Sequence, residues 1–274
     1  WPNEYADDQV HFFGPYLYRS HFWATSPEQE SQRALEHLAD VIRFEGPGTI
    51  AAILVETVVG TAGVLIPPPG YLEGVRALCD EHGIMLILDE VMAGFGRTGK
   101  WFACEHWNVV PDIMVLAKAL GGGMPIGAFI GRPEVMDTLC NPMLSHLTTF
   151  GGHPVCCAAA KAAIEFTRRE NLPAKAAERG EQFMAGLRKQ QARYPSVIKE
   201  VRGLGLMIGI ELQSQDVMAA YVSEVHKQHV IIGDSINDDV TARLEPPLTI
   251  TAAEVEDALS RLERACQTAA QSVA

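Results

Sequence analysis

The chain has 274 residues, 47% of them apolar and 20% charged, and a formal net charge of −12. That length suits one large domain or two smaller ones around a sizeable core. The acidic balance argues against nucleic acid or an anionic membrane as a partner, and no apolar run reaches the length of a membrane span. No basic segment followed by an apolar one opens the chain, so no signal peptide is expected. The six cysteines (Cys79, Cys104, Cys140, Cys156, Cys157, Cys266) form no CxxC pair, and the nine histidines keep no ligand spacing with them. Free thiols in a reducing cytoplasm and no metal site are therefore expected.

In chain order, residues 1–25 are rich in aromatics and turn formers and read as a loop with one short strand around Val10–Phe13. Ser26-Pro27-Glu28-Gln29 starts a helix, with a serine cap, proline at the first position and acids in the first turn. It runs to about Phe44 and is stopped by Gly46-Pro47-Gly48. Ile50–Val55 is a buried strand with Glu56 at its end, followed by a turn-rich loop and a helix over Gly70–His82. Strands follow at Ile84–Leu88, Ile113–Ala117 and Ile126–Ile130, then a short helix in PEVMDTL and a loop over His146–Pro154. Beyond Pro154 the composition changes. Helices are expected over Val155–Glu170, Pro173–Arg193, Asp216–His229 and Thr251 to about Ala270, the last with a Thr251/Glu254 capping box. A strand pair over Val197–Leu212 and short strands at Val230–Ile232 and Ala242–Leu244 lie between them. Domains of residues 1–154 and 155–274 follow from this change.

Two of the strands end in charge. Ile84–Leu88 runs into Asp89 and Glu90, and Ile113–Ala117 runs into Lys118, followed by Gly121, Gly122 and Gly123. Continuous apolar runs separated by a helix-sized connection suggest parallel strands covered on both faces, and ligands bind outside the carboxyl ends of such strands. A lysine in an apolar setting tends to lose its proton and can then form a Schiff base with a carbonyl. An aspartate near a pyridine nitrogen keeps that nitrogen protonated. Together they are what pyridoxal phosphate (PLP) chemistry asks of a protein. A strand-end salt bridge, or two solvent-facing charges, is the plain alternative. The three glycines are not a phosphate loop, because no Lys-Ser/Thr and helix follow them.

The segments LILDEVMAGFGRTGKWFA and PDIMVLAKALGGGMPIGA closely resemble the signature of class III (omega-type) PLP-dependent aminotransferases, including the Asp89-to-Lys118 spacing of 29 residues. The resemblance continues through TTFGGHPVCCAAA and RLEPPLTIT, so it covers nearly the whole chain. It implies an α/β protein of PLP fold type I, with a mostly parallel sheet in the large domain and a smaller α+β C-terminal domain. It also implies a homodimer with shared active sites and pyridoxal 5'-phosphate as cofactor. In this resemblance Lys118 carries the cofactor and moves protons, and Asp89 pairs with the pyridine nitrogen. Val91 packs on the ring face, though ordinary core packing explains it as well. Thr149, assisted by Thr148, reaches the phosphate held by the neighbouring subunit, and His153 stands where the family usually has Asn. Glu56 matches a family glutamate, with Thr57 in place of the common proline. Glu90 matches an invariant position whose role the sequence does not give. Arg243 matches an arginine that binds a substrate carboxylate; a salt bridge with Glu245 is its alternative.

The implied reaction moves an amino group from an amine donor to a keto acid acceptor. Diamine-type relatives often have Glu where this chain has Thr61, and that Glu masks the arginine. Threonine does not, so Arg243 stays available and omega-amino acids such as taurine or beta-alanine are favoured, with pyruvate as acceptor. HFFGPYLYRS resembles taurine–pyruvate enzymes, whereas the C-terminal third resembles putrescine aminotransferases. A diamine aminotransferase, an aminomutase or a decarboxylase are the alternatives. Family members carry a substantial portion before the point matched by Trp1, supplying a Gly-Ser/Thr pair for the phosphate and a stacking aromatic. A non-catalytic fragment is therefore the further alternative.

Overall fold

The computed structural model describes residues 8–236 and 238–272. The chain divides into two compact units, Trp1–Ile53 with Pro67–Leu86, and Leu54–Ile66 with Ile87–Ala274.

In the first unit, helix α1 (Pro27–Glu45) begins as its sequence asks, with the Ser26 hydroxyl accepting the N–H of Gln29. Ala34, Leu38 and Ile42, four residues apart, are buried on one face. Helix α2 (Tyr71–His82) ends at Gly83 in the left-handed region, φ +67°, and its Gly74 lies under Leu35. Leu72, Val75 and Cys79 are its buried face. The strand expected around Val10–Phe13 does not form. The local backbone donors go to α1 side chains instead of a ladder: Phe13 N–H to His37 Nε2 (3.2 Å) and Tyr16 N–H to the buried Glu30 (2.7 Å).

A four-stranded sheet has the order β1 (Ala52–Glu56), β2 (Met85–Asp89), β3 (Ile113–Leu116), β4 (Ala128–Gly131). β2 and β3 are parallel, with Asp89 opposite Val115, and β4 returns antiparallel to β3. Bonds from Met85 N to Ala51 O and from Thr57 N to Asp89 O run β1 in the same direction as β2. The continuous apolar runs suggested burial on both faces. The structure alternates instead: Leu86, Leu88, Met114 and Leu116 are buried, Ile87 and Val115 half-buried, and Met85 exposed.

In the second unit, β4 is followed by α3 (Pro133–Met136), α4 (Pro154–Arg169), α5 (Leu172–Arg193), β5 (Ile198–Leu204), β6 (Met207–Leu212), α6 (Gln215–Lys227), β7 (Gly233–Asp234), β8 (Thr241–Leu244) and α7 (Ala252–Ser272). The sheet here is antiparallel in the order β5-β6-β8-β7. Every residue of β6 is buried, and its Ile208, Ile210 and Leu212 share a core with Phe183 and Leu187 of α5, Tyr221 and Val225 of α6, and Leu262 and Cys266 of α7. The capping box at α7 forms, Thr251 and Glu254 each accepting the other's N–H. The strand expected at Val230–Ile232 does not form. Val230 N–H closes onto Val225 O at the end of α6, Ile231 is exposed, and the short strand β7 starts at Gly233.

The turn at residues 96–99 is seated on the β5–β6 hairpin. Leu206 N–H donates to Arg97 O (2.9 Å), and Arg97 Nη1 donates to the carbonyls of Leu206 (3.0 Å) and Pro246 (2.6 Å). Gly205, at φ +57°, allows this approach: a Cβ there would lie 2.4 Å from the Thr98 carbonyl carbon. All six cysteines are free; Cys140 and Cys157 are exposed and the other four buried.

Candidate active site

Asp89, the last residue of β2, and Lys118, two residues past β3, lie at the carboxyl ends of adjacent parallel strands, as the register of Asp89 with Val115 requires. Asp89 ends β2. Its Oδ1 accepts the N–H of Val91 (2.8 Å) and its carbonyl accepts the N–H of Thr57 (3.3 Å). Its other carboxylate oxygen has no protein partner among the described residues. Lys118 opens a 3-10 turn over Lys118–Gly121 with φ +45°, a conformation non-glycine residues adopt at some cost. Its side chain is exposed, not enclosed by the apolar setting the sequence suggested, and it too has no ion-pair partner among the described residues. Gly122 follows at φ +56°, where α4 comes close enough that a Cβ would lie 3.0 Å from that of Ala163.

Glu56 stands at the end of β1, half-buried, with Oε2 accepting the N–H of Gly60 (2.9 Å). It thus closes the first turn of the 57–66 loop. That loop is tied to the second sheet: Thr61 O accepts the N–H of Ile236 (2.9 Å), and Gly63 O accepts Nε of Arg202 (2.8 Å). Arg243 lies on β8, half-buried. Its Nε donates to the Asp234 carbonyl (2.9 Å) and its Nη1 lies 3.4 Å from Glu245 Oε2. The sequence left Arg243 either available or paired with Glu245; the structure shows the two side chains 3.4 Å apart. Thr148 and Thr149 are exposed in the loop before α4, where Thr148 O accepts the N–H of Gly151. His153 immediately precedes α4, and its Nδ1 is buried with no hydrogen-bond partner among the described residues. The structure thus groups Glu56, Asp89, Val91 and Lys118 along one strand-end edge. No hydrogen bond or ion pair among the described residues joins Thr149 or Arg243 to them.

Glu90 acquires a structural explanation that its sequence position did not give. It continues the buried face of Leu86 and Leu88, opposite in parity to Asp89, and is fully buried. Its Oε2 accepts the N–H of Ala103 (2.9 Å) and its Oε1 that of Cys104 (2.8 Å), the start of a 3-10 turn over Ala103–His106. Burial raises its pKa above the usual carboxylate range, opposed by those two N–H groups. Beside it, burial and the Glu90 charge push the Cys104 thiol up to about 12. Strand parity was the available signal: an acid continuing a leucine face must find donors inside the core.

The donor set fits PLP. A lysine and a carboxylate oxygen, both without protein partners among the described residues, stand at neighbouring strand ends, where a carbonyl and a pyridine nitrogen would be met by groups of matching chemistry. No group of three or more His, Cys, Asp or Glu side chains suited to hold a metal occurs among the described residues.

Comparison with known proteins identifies the family. The family model for class-III aminotransferases matches residues 7–266. An omega-transaminase from Thermomicrobium roseum, described as (S)-enantioselective, is 31% identical and superposes with a TM-score of 0.87 over 95% of this chain and 60% of its own. An amine transaminase from an uncultivated Pseudomonas species, solved in the PLP-bound internal aldimine form, is 34% identical, with a TM-score of 0.87 over 96% of this chain and 64% of its own. A transaminase obtained by ancestral reconstruction gives a TM-score of 0.91 at 31% identity, covering 98% of this chain and 62% of its own. The chain thus spans somewhat over half the length of each of these structures. Its α/β architecture is that of PLP fold type I, the family's cofactor is PLP, and the chain belongs to the class-III aminotransferases.

Proposed function

We propose that this chain carries the lysine half of a PLP-dependent transaminase site, moving an amino group from an amine donor to a keto acid. The observation that carries the reading is the placement of Asp89 and Lys118, each without a competing protein partner on its reactive atom among the described residues, at the carboxyl ends of adjacent parallel strands. PLP, when bound, supplies the electron sink for the substrate carbon. Lys118 would hold the cofactor and, once its amine is freed by the substrate amine, would move the proton at that carbon. Asp89 keeps the ring nitrogen protonated, with Val91 packed against the ring and Glu56 fixing the neighbouring turn. Thr149 and Thr148 serve the phosphate of a partner copy in a homodimer, and the working divisions are residues 1–154 and 155–274. The protein acts in the cytoplasm.

For the donor we propose an omega-amino acid of the taurine or beta-alanine kind, with pyruvate as acceptor and Arg243 receiving the acidic group. The planar guanidinium suits a carboxylate or sulfonate, and the 3.4 Å pair with Glu245 is long enough to exchange. That same pair favours a second reading, a diamine donor, since an arginine already answered by a carboxylate does not demand an acid.

The test has two steps. The chain is incubated with PLP, reduced with borohydride and digested; a pyridoxyl group on Lys118 is expected, and its absence from folded protein rejects the reading. Amination of pyruvate by taurine, beta-alanine and putrescine is then compared. A clear preference for putrescine replaces the omega-amino acid reading with the diamine one.

A further inference from the structure

We infer that Glu90 is a positioning residue for Asp89, an inference that rests on the transaminase reading for its chemical purpose and on the geometry alone for its placement. Each polar group of Glu90 is used. Its N–H donates to Val115 O on β3 (3.0 Å) and its carbonyl accepts the N–H of Gly94 (2.9 Å). Its two carboxyl oxygens accept the N–H groups of Ala103 and Cys104 at 2.9 and 2.8 Å. The residue is thereby fixed to the neighbouring strand, to the turn that follows and to the start of the 103–106 turn.

Asp89 is one peptide away and points to the other face. Its Oδ1 is held by the N–H of Val91. Residues 89 and 91 therefore flank a point that cannot rotate without breaking four hydrogen bonds, and the direction of the remaining Asp89 oxygen follows from it. A leucine at position 90 would complete the apolar face of Leu86 and Leu88 but would leave the two N–H groups of the 103–106 turn without acceptors. Glutamine keeps the size but sets an amide N–H₂ against one of those donors. Glutamate alone has the reach and two acceptors.

The experiment uses Glu90→Gln in the 274-residue chain, with Asp89→Asn as the reference for direct loss and Leu187→Ala as a control that weakens the core elsewhere. Two readouts are taken at a temperature where all remain folded: hydrogen exchange of the Val91 amide without cofactor, and the pH titration of the visible absorption after PLP loading. Positioning predicts Val91 exchange about ten-fold faster in Glu90→Gln, the factor that accompanies loss of one hydrogen bond. It also predicts a titration displaced toward that of Asp89→Asn, with Leu187→Ala matching the parent in both. Val91 exchange and titration equal to the parent overturn the inference and leave Glu90 a clamp for the 103–106 turn.

If Glu90→Gln does not fold, Ala103→Pro removes one donor from the other side. Position 103 is the first of its turn and Phe102 is already extended, so the backbone accepts proline there. The same two readouts then decide. If the parent chain gives no PLP absorption at all, the transaminase reading of this chain fails, and Val91 exchange alone decides whether Glu90 positions Asp89.

Discussion

Arg243 and Glu245, two residues apart on β8 and its exit, face each other at 3.4 Å between Nη1 and Oε2. The arginine side chain is 14% exposed and the glutamate 27%. A pair at that distance, partly open to water, contributes about 1 kcal/mol or less. An incoming carboxylate must displace Glu245, and the arginine remains placed because its Nε is held by the Asp234 carbonyl. Glu245→Gln is therefore expected to lower KM for a carboxylate-bearing donor by about two- to five-fold, with little change for a donor lacking one. Arg97, whose pKa is lowered by burial and raised in opposition by Glu245, keeps its main-chain bonds to Leu206 and Pro246 in that variant. Steady-state kinetics with matched donors checks this; a KM unchanged or raised for the acidic donor means that Glu245 does not compete.

Lys118→Ala is expected to abolish pyridoxyl labelling and to lower the transamination rate by about 10²- to 10⁴-fold, the usual contribution of a positioned proton shuttle. It should leave thermal stability within about 1 kcal/mol of the parent, because the exposed side chain has no partner among the described residues and alanine meets the same left-handed backbone cost as lysine. Labelling that persists at another lysine, with activity retained, would falsify the role given to Lys118.

Much of this architecture was legible because local rules and tertiary demands agree. Ser26 and Thr251 cap the helices they precede, and the apolar runs before Asp89 and Lys118 are adjacent parallel strands. What was not legible depended on distant partners. The 10–13 segment has strand-like residues, but Phe13 and Tyr16 give their N–H groups to side chains of α1. Val230 is apolar and β-branched, yet the end of α6 takes its donor. At the site, the residue types at strand ends indicated the chemistry. The sequence left Arg243 between a free guanidinium and a pair with Glu245, and the 3.4 Å approach of the two depends on β8 geometry that spacing alone does not give.

His106 sets a pH dependence of stability. Its Nε2 lies 3.2 Å from Thr98 O, its ring meets Trp107 edge-on, and burial lowers its pKa, with the Thr98 carbonyl opposing. The folded chain therefore holds a proton on this ring less readily than the unfolded chain, whose histidine titrates near 6.5. The unfolded state binds more protons between the two values, so stability rises with pH there. The contribution is complete above about pH 6.5 and is lost as pH falls through the lowered folded value. Urea melts of the parent and of His106→Gln between pH 5 and 7.5 are expected to show a shallower slope in the variant. Parallel slopes would assign the pH dependence to other groups.

Two glycines of α5 give the sharpest test of the packing. A Cβ on Gly180 would lie 2.1 Å from the carbonyl oxygen of Gly205, whereas a Cβ on Gly186 would meet only the end of the Leu259 side chain, at 2.4 Å. Both positions are inside a helix, so alanine gains about 1 kcal/mol of propensity at each. At Gly186 the leucine can turn aside, and the gain and the repacking should nearly cancel. At Gly180 the obstacle is backbone at the β5–β6 turn, itself fixed by Gly205 against the 96–99 turn. Relief there would have to move the hairpin and the Arg97 contacts with it. Gly180→Ala is therefore expected to cost about 2–4 kcal/mol net, and Gly186→Ala to stay within about 1 kcal/mol of the parent. Equal midpoints in urea for the two variants would mean that α5 and the hairpin are not packed as closely as these distances require.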